Sequence, residues 1–334
     1  MKQQPPFCIQ IELTEGCNLA CSFCGIAGIR DNEANGPDKI RGKNSHPFKF
    51  LSIENAEIIV DKLVRDMYNY KWNPRIEMAM HGEPTMNPDY HDIVYLFRKR
   101  LPKTHLQMTT NGGGLLKGDL VENIDRLMDA GLNVLLLDNY DGIKICDKVR
   151  ERYDGKYPLF EYPLDKKANP HRRRKPSDHD IVIVQDIDHA SKGNHATLNN
   201  HAGSAFPPND RKAGKRCAKV FREISVRWDG SIAICCNDWP GFYKCGNIVE
   251  DSMETFEDIW QNNAFSAARK KLYHGERDFG PCMGCDATSY RPGLLPDAKG
   301  KEEYDKSTKA DIDAIDKALS GGPFTTAIAR PWRQ

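Results

Sequence analysis

Three cysteines set the first question. Cys17, Cys21 and Cys24 have the spacing C-x3-C-x2-C, directly after a short apolar run, Phe7 to Leu13. Three thiolates so close in one loop can bind three irons of a [4Fe–4S] cube and leave the fourth iron without a protein ligand. A structural zinc site is the alternative, although zinc sites of this kind draw on four Cys or His ligands in paired C-x2-C units. The chain has eleven cysteines, and a second group follows late: Cys217, Cys235, Cys236, Cys245, Cys282 and Cys285. Cys8 and Cys146 stand apart and read as small buried apolar side chains. Reducing compartments disfavour structural disulfides, so metal binding is the better account of so many cysteines.

The elements that must position these groups are legible as periodicity. Phe7 to Leu13 alternates apolar positions as a strand does, and residues 53–68 place Ile53, Ala56, Val60, Leu63, Val64 and Met67 on one helical stripe. Further strands are predicted at Arg75 to Met80, His105 to Thr109 and Leu132 to Leu137, with helices at 88–100 and 118–130 between them. Alternation of this kind predicts βαβ units and a parallel sheet. Two more strands are expected near Tyr157 to Tyr162 and Asp180 to Asp186, which makes a partial barrel. Beyond Cys217, Glu223 to Arg227 and Ile232 to Cys236 read as a hairpin about Gly230, and a helix falls within Asn247 to Leu272.

With its strand and cysteines together, the first segment resembles the radical S-adenosylmethionine (SAM) superfamily, whose motif is C-x3-C-x-aromatic-C; Phe23 holds the aromatic position. The resemblance implies an α/β fold, a partial (β/α)6 TIM-like barrel. It also implies that the open iron accepts the amino and carboxylate groups of SAM, which one electron then cleaves to a 5′-deoxyadenosyl radical. His81-Gly82-Glu83-Pro84 looks like the family's G-G-E-P segment at the SAM amino group, with His81 in place of the first Gly. Thr109-Thr110-Asn111-Gly112 resembles the T-N-G segment near the ribose and carboxylate, and Asp138-Asn139 lies where the family puts a ribose-binding polar residue.

Twelve residues separate Cys217 from Gly230 and four separate Gly230 from Cys235, with Cys282-Met283-Gly284-Cys285 later. This resembles the first half of the SPASM extension of radical SAM enzymes. No cysteine follows Cys285, so the match is to the shorter twitch form, a small C-terminal α+β hairpin-and-helix iron–sulfur domain. It implies a second [4Fe–4S] cluster on Cys217, Cys235, Cys282 and Cys285, with Cys236 or Cys245 as substitutes and a zinc ribbon as the alternative. Cys245 is also a candidate catalytic hydrogen donor to a substrate radical.

The expected organisation is a barrel over 1–188, a linker or substrate-facing loop over 189–216, the auxiliary domain over 217–287 and a charged tail with one short helix over 288–334. Forty-eight basic residues nearly cancel 47 acidic ones, which gives no reason to expect a nucleic acid or a membrane as partner. The N-terminus lacks a signal peptide, so a cytoplasmic enzyme is expected. The resemblance implies a flavodoxin- or ferredoxin-like electron donor. The expected substrate is a small, sugar- or cyclitol-like molecule, oxidised with help of the auxiliary cluster, because six residues before the first strand leave no room for a leader-peptide-binding domain. A peptide-modifying maturase, a redox-neutral epimerase and a metal-stabilised binding scaffold are the other readings. The basic run 171–175 reads as a solvated loop or an anion contact, 25–49 as a loop over the active site, and His189, His195 and His201 as substrate-side candidates.

Overall fold

The computed structural model describes residues 5–19, 21, 23–26, 48–139, 143–162, 180–184, 199–205, 214–250 and 255–288. The basic run 171–175, His189, His195, the tail helix and most of the loop 25–49 lie outside these residues.

One nine-stranded sheet organises the chain. Its barrel part holds β1 (Cys8–Ile11), β4 (Arg75–Glu77), β5 (Leu106–Thr110), β6 (Val134–Asp138), β7 (Leu159–Tyr162) and β8 (Asp180–Val184). The order β1-β4-β5-β6 follows the chain, and all neighbours in this part are parallel. The helices α1 (Ile53–Tyr70), α2 (Tyr90–Arg100), α3 (Leu120–Asp129) and α4 (Ile145–Arg152) intervene. The first three match the predicted stripes, whereas no predicted helix covers α4. Strand β4 is shorter than predicted, Arg75–Glu77 in place of Arg75 to Met80, because the chain leaves the ladder early to build the segment 81–86.

The last two barrel strands depart from simple succession. A six-unit barrel wound in chain order puts 157–162 next to β6; instead β8 pairs with β6 and β7 takes the edge. Composition explains the swap. Ile181 and Ile183 of β8 are fully buried, as an interior parallel strand requires, while Leu159 and Phe160 of β7 are only partly so.

The auxiliary part continues the same sheet. β9 (Glu223–Val226) pairs in parallel with β1 over four residues, followed by the antiparallel β10 (Ser231–Ala233) and β11 (Lys244–Asn247). Gly230 turns the hairpin at φ +81°, a left-handed conformation that glycine adopts without cost, and a Cβ there would lie 2.4 Å from Val249. Where one helix was expected, two occur, α5 (Phe256–Gln261) and α6 (Asn263–His274), each with its own cap. Thr255 and Asp258 form a capping box for α5, and Asn262 accepts from Phe265 N–H for α6. A two-stranded pair, β2 (Thr14–Glu15) with β3 (Lys49–Phe50), stands beside the end of β1.

Candidate functional site

The cysteine loop leaves the C-terminal end of β1, where the ends of β4 and β5 converge on it. Gly16 and Gly82 form an isolated parallel bridge, and Glu83 N–H donates to the Gly16 carbonyl at 2.9 Å. Position 82 admits only glycine, because a Cβ would lie 2.2 Å from Thr14 O and 2.3 Å from Gly16 O. Pro84 opens a short 3-10 turn, Pro84–Met86, so the chain turns at once towards α2.

Glu83 is the hub of this region. Its Oε1 accepts from Thr85 N–H at 3.0 Å, from the Thr85 hydroxyl at 2.6 Å and from the Thr110 hydroxyl, and its Oε2 accepts from Asn111 N–H at 2.8 Å. Burial pushes this carboxyl up from its ordinary range, and the four donors oppose that shift. Asn111, held in turn, donates from Nδ2 to Cys17 Sγ at 3.4 Å and to Asn18 Oδ1 at 3.1 Å. Leu19 N–H also approaches Cys17 Sγ, at 3.3 Å. Two N–H donors on one sulfur suit a thiolate, although burial, with Glu83 adding to it, holds the proton on the free thiol. The loop tightens through Cys24 N–H to Cys21 O at 3.1 Å, and Phe23 is buried within it.

Thr109 is half-buried, Thr110 and Asn111 are buried, and Asp138 closes β6 as a buried carboxyl beside Asn139. Asn139 Oδ1 accepts from Cys146 N–H at 2.9 Å, which fixes the start of α4. The residues predicted for the SAM side therefore lie at the C-terminal ends of β5 and β6 and in the loops that follow β1 and β4.

His81, expected at SAM through its backbone or facing substrate through its side chain, has a fully buried imidazole. Its Nε2 donates to the Cys236 carbonyl at 3.0 Å, and its Nδ1 lies 2.9 Å from Glu12 Oε1. A side chain at the family's first glycine position thus ties the barrel to the auxiliary region. Trp239, which no motif in the sequence marks, makes a second tie. Its indole packs on Cys17, Cys24 and Ile26, stands 4.8 Å from the His81 ring, and donates from Nε1 to His201 Nδ1 at 3.0 Å. Gly25 leaves it room: a Cβ there would come within 2.5 Å of the ring. The only sequence signal for Trp239 was its place four residues after Cys235.

Cys217, Cys235, Cys282 and Cys285 line one cavity, and all four are buried. Burial pushes the Cys217, Cys235 and Cys282 thiols up, while the cations Lys219 and Arg277 beside the cavity act in the opposite sense on Cys217. Arg277 holds the loop, donating to the carbonyls of Cys285 and Ala287 at 2.9 and 2.8 Å. Asn200 braces the same loop: its N–H donates to Asp286 Oδ1 at 2.8 Å and its Nδ2 to Gly284 O at 2.7 Å. Segment 199–205, expected in a linker, is thus packed against the C-x2-C loop, and nothing local in the sequence marks it. Among the described residues, no three His, Cys, Asp or Glu side chains sit where they could hold a single metal ion. Four buried thiols lining one cavity offer one thiolate to each iron of a cube. The donor set fits a [4Fe–4S] cluster.

Cys245 is not brought to either place. It is buried in the apolar core of β11, its thiol raised by burial, and it lines neither the cavity of the four cysteines nor the larger cleft near Trp239. Cys236 lies beside the auxiliary cavity, its Sγ 3.0 Å from Lys219 Nζ. Among the described residues no helix is long and apolar enough to cross a membrane.

The larger cleft, of about 530 Å³, is lined by Glu15, Lys49, Arg227, Trp228, Asp229 and Trp239 among others. Arg227 pairs with Glu15, which also accepts from Lys49 at 2.9 Å and from the Trp228 indole at 3.2 Å. Trp239 stands between this cleft and the Cys17 loop.

Comparison with known proteins agrees with this geometry. Residues 11–139 match the Radical SAM superfamily, and residues 217–286 match SPASM, an iron–sulfur cluster-binding domain. No curated protein matches the chain. Among solved structures, BtrN in complex with AdoMet and 2-DOIA aligns with a TM-score of 0.60 at 17% identity, covering 87% of this chain and 97% of that one. BtrN in an open conformation aligns at 0.54 and 18% identity, covering 86% and 95%. At such identities the likeness is one of fold. Both halves of the chain lead to one conclusion: it belongs to the radical SAM superfamily, as an enzyme that uses SAM and a [4Fe–4S] cluster and carries an auxiliary iron–sulfur cluster in a SPASM/twitch domain.

Proposed function

We propose that this enzyme abstracts a hydrogen atom from a small polar alcohol, sugar- or cyclitol-like, and oxidises it by two electrons. Cys17, Cys21 and Cys24 are the proposed ligands of the first cluster, and Cys217, Cys235, Cys282 and Cys285 those of the second. When bound, the first cluster supplies the electron that cleaves SAM to a 5′-deoxyadenosyl radical, and the auxiliary cluster offers an acceptor for an electron from substrate. The chain's own residues orient and enclose. Gly82, Glu83, Thr109, Thr110, Asn111 and Asp138 form the proposed SAM cradle, made rigid by the four hydrogen bonds to Glu83.

The observation that carries the substrate class is the cleft of about 530 Å³ beside Trp239. Its size is that of a small-molecule site, roughly 300–1,000 Å³. The flat faces of Trp228 and Trp239 suit the C–H faces of a saturated ring, while Glu15, Lys49, Arg227 and Asp229 offer hydroxyl-binding groups of both signs. BtrN, whose structure has AdoMet and 2-DOIA bound, shares the fold over nearly its whole length. A flavodoxin- or ferredoxin-type protein is the proposed electron donor.

The test is to incubate the reconstituted enzyme anaerobically with SAM, dithionite, and 2-DOIA or a panel of C-deuterated cyclitols and aminosugars. The expected result is one compound that stimulates 5′-deoxyadenosine formation, transfers deuterium into it, and appears as a product lighter by two hydrogens. Stimulation by peptides alone would overturn the small-substrate reading, and a product of unchanged hydrogen count would replace oxidation with epimerisation.

A further inference from the structure

Behind Cys235 the chain turns sharply, with Asp238 N–H donating to the Cys235 carbonyl at 3.0 Å. Inside this turn Asn237 is 3% exposed and lines the cavity of the four cysteines. Its Nδ2 has no hydrogen-bond partner among the described residues. A buried amide donor without an acceptor is destabilising, and native proteins seldom tolerate one. The other polar donors on this cavity are engaged. Lys219 Nζ reaches Glu223 at 2.7 Å and Cys236 Sγ at 3.0 Å, and Arg277 is taken up by the carbonyls of Lys215, Cys285 and Ala287.

We propose that Asn237 is a positioning residue for the auxiliary cluster: its amide N–H donates a hydrogen bond to a sulfur of that cluster and raises its reduction potential. The inference rests on the assignment of Cys217, Cys235, Cys282 and Cys285 as ligands. The physical reason for the direction is charge. Reduction adds an electron spread over irons and sulfurs, so the sulfurs of the reduced cluster are better acceptors than those of the oxidised one. A fixed donor therefore favours the reduced form. Being neutral, the amide does this without adding a charge to a site already flanked by Lys219 and Arg277. Such a donor suits an acceptor that must take an electron from substrate and pass it on.

The experiment isolates the auxiliary cluster in a Cys17/Cys21/Cys24→Ala background and titrates it with EPR detection, comparing Asn237 with Asn237→Leu, a substitution of similar volume that lacks the donor. At a fixed solution potential near the midpoint, the ratio of reduced to oxidised cluster is expected to fall about tenfold, a shift of about 59 mV for a one-electron couple. An unchanged midpoint in a fully iron-loaded Asn237→Leu protein overturns the proposal.

A second measurement needs no variant. In the same background, protein labelled with 15N-asparagine and exchanged into D2O is reduced and read by ENDOR. An exchangeable deuteron and a 15N nucleus coupled to the auxiliary cluster are expected, and their absence overturns the proposal even if Asn237→Leu fails to fold. Failure of the triple-alanine background to bind any iron would instead overturn the ligand assignment, so the two failures are distinct.

Discussion

His81 Nε2 lies 3.0 Å from the carbonyl oxygen of Cys236, so the segment that follows β4 is bonded to the residue directly after Cys235. The same imidazole faces Glu12 at the end of β1, with Nδ1 2.9 Å from Oε1, and both side chains are fully buried. One residue thus fixes the auxiliary turn against the barrel rim.

Removing that residue leaves Glu12 buried with part of its partnership gone, and leaves the Cys236 carbonyl without its donor. His81→Ala is expected to destabilise the protein by about 2–3 kcal/mol, the cost of orphaned buried polar groups. Adding Glu12→Gln to His81→Ala should cost less than the two single changes summed, because they share one interaction. Anaerobic thermal denaturation of the four proteins gives the cycle. Strict additivity would show that the contact contributes nothing.

Glu83 accepts from two hydroxyls and two backbone N–H groups, and a glutamine cannot reproduce this, since one end of its amide must point a donor at donors. Glu83→Gln is therefore expected to loosen the Thr110-Asn111 loop and weaken SAM binding by about 10–100-fold, the usual scale for a supporting residue, with both clusters retained. Equilibrium dialysis against labelled SAM, with iron counted in parallel, checks this. Unchanged affinity would remove Glu83 from the SAM cradle.

How much of this was legible depends on how far apart the partners are in the chain. The strand alternation of Ile9 and Ile11, the stripe of α1 and the cysteine spacings are local patterns, and each could be read directly. The pairing of β1 with β9 is not local: Ser225 donates to Gln10 Oε1 at 3.1 Å across 215 residues, and no periodicity announces it. Asn200 bonding Asp286 is a similar case, over 86 residues. The side-chain contact of His81 is not legible for the same reason: its neighbours in the chain mark the SAM loop, whereas Cys236, whose carbonyl it reaches, lies 155 residues away. Cys245 drew attention as a thiol, but its packing in the core is a matter of tertiary burial.

Asp66 supplies a pH prediction. This carboxyl on α1 accepts from Phe256 N–H at 2.7 Å, capping α5, and burial raises it from 3.8 to about 6 despite that bond and Arg65. A carboxyl raised in the folded state binds its proton more tightly there than in the unfolded chain. Its contribution to stability is therefore present at low pH and is lost as pH rises from 3.8 to about 6. Asp66→Asn keeps an acceptor for Phe256 N–H and removes the charge. Its Tm relative to wild type should rise across that window and then level off. A difference independent of pH would mean that Asp66 does not titrate there.

The proposed enzyme holds a SAM-cleaving cluster on Cys17, Cys21 and Cys24 and an auxiliary cluster on Cys217, Cys235, Cys282 and Cys285. The most direct test is to count iron and sulfide after anaerobic reconstitution of the wild type and of two variants, each with one cysteine set changed to alanine, and to assay 5′-deoxyadenosine with dithionite. About eight irons are expected in the wild type and about four in each variant, two cubes of four irons being present. Deoxyadenosine should form wherever the first set is intact and should be absent where it is not. Zinc in place of iron, or a fully loaded protein that leaves SAM uncleaved, would contradict the account.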